Sequence, residues 1–263
     1  MALTQLVAVP ARRRLPILIP AEYWHLLSLD APCVATIWAW SIARALRITL
    51  PASPLLILFL GTWLLYVADR ILDGLHPGNS FRLRDRHFFY LRHRVAIFTA
   101  AVPVASLLTW LVLLHMQARA RRADAFLFVL AAAYFALVHQ RRCAIESWFP
   151  KELLVAAIAA AAIAAPAWSR LAPGDVEAAV VLAFLAALFA SLCWLNCVAI
   201  DKWERPLERQ VRAHAANPTT KWGQQNLRLI GALIAIAAAA AGGAFFGIKQ
   251  NVAAELCLAG SAS

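Results

Sequence analysis

A chain of 263 residues that is 62% hydrophobic, with mean hydropathy +0.67, carries more apolar surface than one water-soluble core can bury, so lipid must be part of its solvent. Its 25 Lys and Arg against 14 Asp and Glu give a net charge of +11. No zinc-finger or RNA-binding motif accompanies that excess, so it does not call for nucleic acid and is read as membrane topology plus attraction to anionic headgroups.

In chain order, residues 1–30 form an N-terminal segment whose charges, Arg12 to Arg14, follow its first apolar stretch instead of preceding it. That order is wrong for a cleaved signal peptide. Apolar windows of the length a membrane helix needs, roughly 20 residues, or somewhat shorter then recur at 31–50, 53–72, 95–114, 124–139, 152–168, 176–200 and 227–247. They predict an all-α polytopic bundle of seven helices within a single transmembrane domain, 31–263. An eighth apolar segment, 252–260, is too short to span and is left as a half-helix, an interfacial piece or the stump of a longer chain. The Ala-rich run in the fifth window reads as close helix packing. Cys33, Cys143, Cys193, Cys197 and Cys257 form no CxxC pair and read as small buried apolar side chains, not as disulfides or metal ligands.

Orientation follows from the basic residues. With the N-terminus in the cytoplasm, cytoplasmic segments hold three basic residues at 12–14, six at 70–94, three at 141–151 and six at 202–228, against seven on the other side. The positive-inside rule favours that orientation and a multi-pass protein of the cytoplasmic (inner) membrane. The two longest cytoplasmic loops, 74–94 and 201–226, contain FRLRDRHFFYLRHR and DKWERPLERQVR. Such stretches suit amphipathic helices on the membrane surface and equally a cap over a phosphate site.

Acidic residues at the ends of apolar helices are costly in lipid and become functional candidates. Asp69 and Asp73 end the second window four residues apart, which puts them on one helical face. Two like charges so close invite a cation, and hard oxygen donors suit Mg²⁺ completed by water and substrate phosphate. A surface ion network through Arg70 explains the pair equally well. The sixth window ends WLNCVAIDKWERP, where Asp201 and Glu204 are three apart and Asn196 lies about one and a half turns deeper. Two helices thus deliver carboxylate pairs to one cytoplasmic rim, where they could hold a metal-bound diphosphate. Arg141 and Arg142, after Tyr134, and Lys151, beside Glu152 at the start of the fifth window, lie on the same side and could hold phosphate oxygens.

With these residues in view, the pattern resembles the UbiA superfamily of intramembrane prenyltransferases, whose motifs are Asn-Asp-x-x-Asp-x-x-x-Asp ending the second helix and Asp-x-x-x-Asp ending the sixth. Ala68-Asp69-Arg70 and Asp73-Gly74 look like the second half of the first motif. Leu65 and Tyr66 stand where the family has Asn and Asp, and at the sixth helix Arg205 occupies the place of the second Asp, so Glu204 must substitute one position earlier. The resemblance covers about 31–247 and implies a UbiA-like helical bundle of seven to nine helices, with a lipid-facing tunnel for an isoprenyl chain. It further implies Mg²⁺ held by Asp69, Asp73, Asp201 and Glu204. Arg70, Arg141, Arg142, Lys151, Lys202 and Arg205 would contact the diphosphate, while Asn196 and Tyr66 complete the catalytic group. The implied activity is transfer of a prenyl group from an isoprenyl diphosphate to an aromatic or other acceptor. A terpene synthase that cyclises the donor without an acceptor is the alternative, and a catalytically silent membrane scaffold is the third. Trp63, Tyr66, Trp194 and Trp203 lie near the acid-bearing ends and could face a carbocation, although core and interfacial-belt roles suit most of them better.

Overall fold

The computed structural model describes residues 20–75, 85–139, 151–204, 218–247, 257–259 and 261. Among these residues the chain is all-helical, in agreement with the expected fold class. The principal elements are α1 (Pro20–Leu26), α2 (Asp30–Ala45), α3 (Ala52–Leu75), α4 (Asp85–Arg92), α5 (Arg94–His115), α6 (Ala118–His139), α7 (Lys151–Trp168), α8 (Val176–Glu204), α9 (Pro218–Gln225) and α10 (Leu227–Gly247).

Each of the seven apolar windows folds as a helix, but fewer of them meet the requirements of a membrane span. Among the described residues four helices are long and apolar enough, at Ala52–Leu72, Arg94–His115, Lys151–Trp168 and Val176–Ile200. A fifth span results if α9 and α10, bent by 80° at their junction, count as one. The shortfall has two physical causes. α2 has 16 residues, about 24 Å at 1.5 Å per residue, against a hydrocarbon core of roughly 30 Å. α6 opens with Arg119, Arg121, Arg122 and Asp124, whose charges dilute its apolar run. Most of the expected short eighth segment, 252–260, lies outside the described residues.

Local chemistry sets where the helices turn. α1 ends at Ser28, which takes the left-handed conformation (φ 55°) while the Leu29 amide donates to the Trp24 carbonyl and the Ser28 amide to that of His25. α2 ends in the same way. Arg47 is left-handed (φ 57°), the Ile48 amide donates to the Ala43 carbonyl at 2.8 Å and the Arg47 amide to that of Arg44 at 3.0 Å. Both ends are Schellman motifs closed without glycine. Between α7 and α8 the chain turns at Gly174 (φ 86°), and the Asp175 carboxylate accepts from the Ala178 amide at 3.0 Å to cap α8.

The largest core joins α2, α7, α8 and α10. Ala35, Ala39 and Ala43 along α2 and Ala160 and Ala167 along α7 keep the backbones close, and Ile42, Ile163, Leu182 and Leu185 fill the space between. A second cluster, Val67, Ile71, Tyr90 and Ile97, seats α4 and α5 on α3. A third, Ala156, Trp194, Val198 and Ile230, ties α8 to α7 and α10. The outward faces stay apolar, with Val95, Val102, Leu114, Phe126, Phe128 and Ile236 all exposed. That pattern suits a multi-pass helical protein whose outer surface meets lipid.

Candidate functional site

The antiparallel order of the helices gathers at one end of the bundle the start of α2, the end of α3, the start of α7 and the end of α8. On α3, Tyr66, Asp69, Arg70 and Asp73 follow the i, i+3, i+4, i+7 spacing of a single face. Arg70 holds this face together, with its Nη1 atom 3.5 Å from Asp69 Oδ2 and its guanidinium carbon 5.8 Å from the centre of the Tyr66 ring. The ion pair anticipated as an alternative to metal binding is therefore present. It leaves Asp69 a part-exposed carboxylate whose hard oxygens match the donors Mg²⁺ takes.

On α8, Cys193, Asn196, Cys197 and Ile200 share a face by the same spacing, and Asn196 is exposed. Tyr66 lies within electrostatic reach of both thiols as well as of Arg70 and Asp30. Among the described residues α3 and α8 do not pack along one another, and α7 touches both. The register of α8 puts Asp201 one turn beyond Cys197 and Glu204 nearly two. The side chains of Asp73, Asp201 and Glu204 fall outside the described residues, as do Arg141, Arg142 and Arg205.

The start of α7 closes the rim. Lys151 and Glu152 lie within electrostatic reach of Cys197. Glu152, in the first turn of α7, accepts a hydrogen bond from the Thr220 hydroxyl at 3.1 Å. Lys202 donates from Nζ to the Gln224 carbonyl at 2.7 Å, where it caps the last turn of α9 and keeps two further N–H donors. Trp63 is fixed by its Nε1 donating to the Leu27 carbonyl at 3.1 Å; Trp194 is buried, and Trp203 is 70% exposed. Trp63 and Tyr66 are thus the aromatic rings on the α3 side of the rim. Tyr134 sits in α6.

No protein-family model, curated protein or solved structure matches this chain. Among the described residues no three His, Cys, Asp or Glu side chains converge as a metal-ligand set.

Sequence spacing did not single out several groups that the fold adds to this end. Tyr90, on α4, is 1% exposed, and Ser28, which acts on its phenol, is itself 2% exposed. Burial holds the Tyr90 phenol above its ordinary value, against the opposing influence of Ser28 and Arg70. His25 Nδ1 stands 3.3 Å from Asp30 Oδ2. A signal for Tyr90 did exist: a single aromatic among the Arg and His of 81–94 that has a polar handle able to follow its ring into a core.

Proposed function

We propose that this chain is a UbiA-like intramembrane enzyme of seven to nine helices that acts on an isoprenyl diphosphate. It transfers the prenyl group to an aromatic or other nucleophilic acceptor. The observation that carries the reading is the gathering of polar side chains from α3, α7 and α8 at one end of the bundle. Tyr66, grouped on α3 with Asp69 and Arg70, lies within electrostatic reach of Cys193 and Cys197 on α8, one turn before Asp201, and Lys151 at the start of α7 lies within reach of Cys197.

Each part has a chemical task in this reading. Asp69, Asp73, Asp201 and Glu204 would hold Mg²⁺, which when bound neutralises charge on a diphosphate leaving group. Arg70 and Lys151 hold phosphate oxygens directly, joined by Arg141, Arg142, Lys202 and Arg205. Asn196 offers an amide from the α8 face. In this reading the Tyr66 and Trp63 rings present π-faces to positive charge developing on the allylic carbon. Exposed apolar helix faces supply a route from lipid for the isoprenyl chain. In this reading the acid-bearing end faces the cytoplasm from the inner membrane, an orientation that the surplus of basic residues on that side supports.

The reading is tested by measuring binding of an allylic diphosphate to the purified, detergent-solubilised protein with Mg²⁺ and with EDTA. Wild type should bind only with Mg²⁺. Asp69→Ala, Asp73→Ala and Asp201→Ala should each lose that binding with helix content unchanged by circular dichroism, and Glu204→Ala, being one position off register, should lose less. Undiminished binding in Asp69→Ala and Asp73→Ala would remove the metal-site reading and leave the Asp69 and Arg70 ion pair as a structural feature of a silent scaffold.

A further inference from the structure

At the end of the bundle opposite the acid-bearing rim, α7 stops at Trp168 and α8 starts at Val176, and the turn between them lines an open cavity of about 240 Å³. Its walls are Trp168, the turn residues 171–174, Asp175 and Val176, and Arg119 closes it from the start of α6. α7 and α8 are both long and apolar enough to cross a membrane, so their shared end lies at the depth of lipid headgroups. The prenyl-transfer reading makes no use of this end of the molecule.

Two opposite charges line the cavity without pairing. Among the described residues Arg119 makes no hydrogen bond or ion pair, and the Asp175 carboxylate engages only the Ala178 amide, through Oδ1 at 3.0 Å. The neighbouring Arg170 is committed elsewhere, its Nη1 donating to the Pro166 carbonyl at 2.9 Å and to Ser169 Oγ at 3.2 Å. Trp168 is half exposed, as a ring at a membrane–water interface is. Val176 and Val180, one turn apart on α8, are both exposed, so an apolar track leads from the cavity along the outside of that helix. From this arrangement we propose that the cavity binds the headgroup of a zwitterionic phospholipid whose cation is a primary ammonium. Arg119 holds the phosphate oxygens, Asp175 accepts from the ammonium, and the acyl chains run along Val176 and Val180.

The lining narrows the ligand. A plain anion gains Arg119 but is repelled by Asp175, so inorganic phosphate and singly anionic headgroups fit less well. Arginine's planar fork suits phosphate oxygens. A quaternary ammonium is recognised by a cage of aromatic faces and has no N–H to donate. Among the described residues the cavity offers one ring and one carboxylate, which an N–H-bearing ammonium satisfies. The cavity is smaller than the roughly 300–1,000 Å³ that hold drug-sized ligands, so it takes a headgroup and leaves the chains outside. It lies at the far end of the bundle from the rim, so failure of this proposal and failure of the prenyl-transfer reading are separable.

The test is native mass spectrometry of the purified protein released from mixed micelles that hold equal amounts of phosphatidylethanolamine, phosphatidylcholine and phosphatidylglycerol with the same acyl chains. Wild type should retain phosphatidylethanolamine over either other lipid by roughly tenfold, the order of one charge-assisted hydrogen bond. Asp175→Asn keeps a side chain able to cap α8 and should lose that preference. Arg119→Gln should weaken retention of phosphatidylethanolamine by roughly tenfold. Arg122→Gln removes an exposed charge of the same helix outside the cavity and should match wild type. Soluble phosphoethanolamine at the lipid's concentration should not displace it, because the chains along α8 contribute to binding. The wild-type comparison of lipids stands even if a variant fails to fold. Equal retention of the three lipids, preference for phosphatidylglycerol, unchanged preference in folded Asp175→Asn, unchanged retention in folded Arg119→Gln, weakened retention in folded Arg122→Gln, or displacement by phosphoethanolamine would each overturn the proposal.

Discussion

The Thr220 hydroxyl donates to Glu152 Oε2 at 3.1 Å, so the first turn of α7 is joined to a short helix 68 residues further along the chain. With the Lys202 bond to the Gln224 carbonyl, it fastens α9 over the acid-bearing end of the bundle. Thr220 is 3% exposed, and removing its hydroxyl strands a carboxylate oxygen in a part-buried place. Such a loss costs about 1–3 kcal/mol. Thr220→Val should therefore raise amide hydrogen exchange across 218–225 by roughly tenfold, with little change in α10, whereas Thr220→Ser should keep the wild-type rate. Equal exchange in Thr220→Val and wild type would mean that the bond does not hold α9.

Gly223 is the contact on which α9 rests. A methyl group there would meet the Trp194 ring at 3.1 and 3.3 Å and Val198 Cγ1 at 3.2 Å. Trp194 is 8% exposed and Val198 fully buried, so neither has room to give. Replacing Gly by Ala inside a helix gains roughly 1 kcal/mol of propensity. Overpacking a filled site costs about 1–3 kcal/mol. The second effect wins. Gly223→Ala should lower the thermal midpoint in detergent slightly and Gly223→Val clearly; a midpoint raised by Gly223→Ala would show that α9 slides freely on α8.

Tyr90 makes stability sensitive to alkali. Its phenol lies in α4, outside the spans, and burial holds it above the ordinary value of 10.0. Below pH 10 the phenol is neutral in folded and unfolded chains alike, and its contribution is whole. Above that value the unfolded chain releases the proton first, so stability falls as pH rises toward the folded value. Tyr90→Phe should flatten this alkaline limb, because it removes the group that titrates. Identical slopes above pH 10 in wild type and Tyr90→Phe would contradict the assignment.

Orientation can be checked without any ligand. In a background lacking native cysteines, cysteine at Arg209 should resist a membrane-impermeant maleimide in intact cells, and cysteine at Arg121 should react. This follows from 18 basic residues assigned to the first side against 7 to the second. The reverse labelling pattern would invert the topology and place the acid-bearing rim outside.

What the sequence made legible was the set of apolar windows, because seven runs of that length have no other way to bury themselves, and all seven are helical. How many of the windows fold into helices long and apolar enough to span was not legible from hydropathy alone. α2 stops short where Arg47 turns the chain, and Arg119, Arg121 and Arg122 charge the start of α6. At the site, the spacing of Asp69 and Asp73 gave their shared face, and the pairing of Asp69 with Arg70 was already one of the two explanations open for those residues. The nearness of Tyr66 to Cys193 and Cys197, the burial of Tyr90 and the link between Glu152 and Thr220 were hidden. Each depends on contacts between segments far apart in the chain, which no local period encodes.

The last expectation separates a transferase from a cyclase and rests on Tyr66. In the resembled family that position is a carboxylate and its predecessor an amide; here they are a phenol and the apolar Leu65. Fewer oxygens then face a metal. The Tyr66 ring lies under the Arg70 guanidinium and toward the α8 thiols, so it can line an acceptor pocket or shield a cation with equal ease. Incubating the purified protein with Mg²⁺ and allylic diphosphates of graded length, with no acceptor present, distinguishes the two roles. A transferase should give little product until an acceptor-containing membrane extract is added, whereas a cyclase needs nothing more than the donor. Acceptor dependence is the expected outcome, because the motif residues that remain, Asp69, Arg70 and Asp73, are those that resemble the polyprenyltransferases. In that case Tyr66→Phe should retain turnover and Tyr66→Ala should lose it, since the ring and not the hydroxyl is what a cation or an aromatic acceptor would contact. Cyclic terpenes formed from the donor alone would instead assign Tyr66 to shielding the cation within a cyclase.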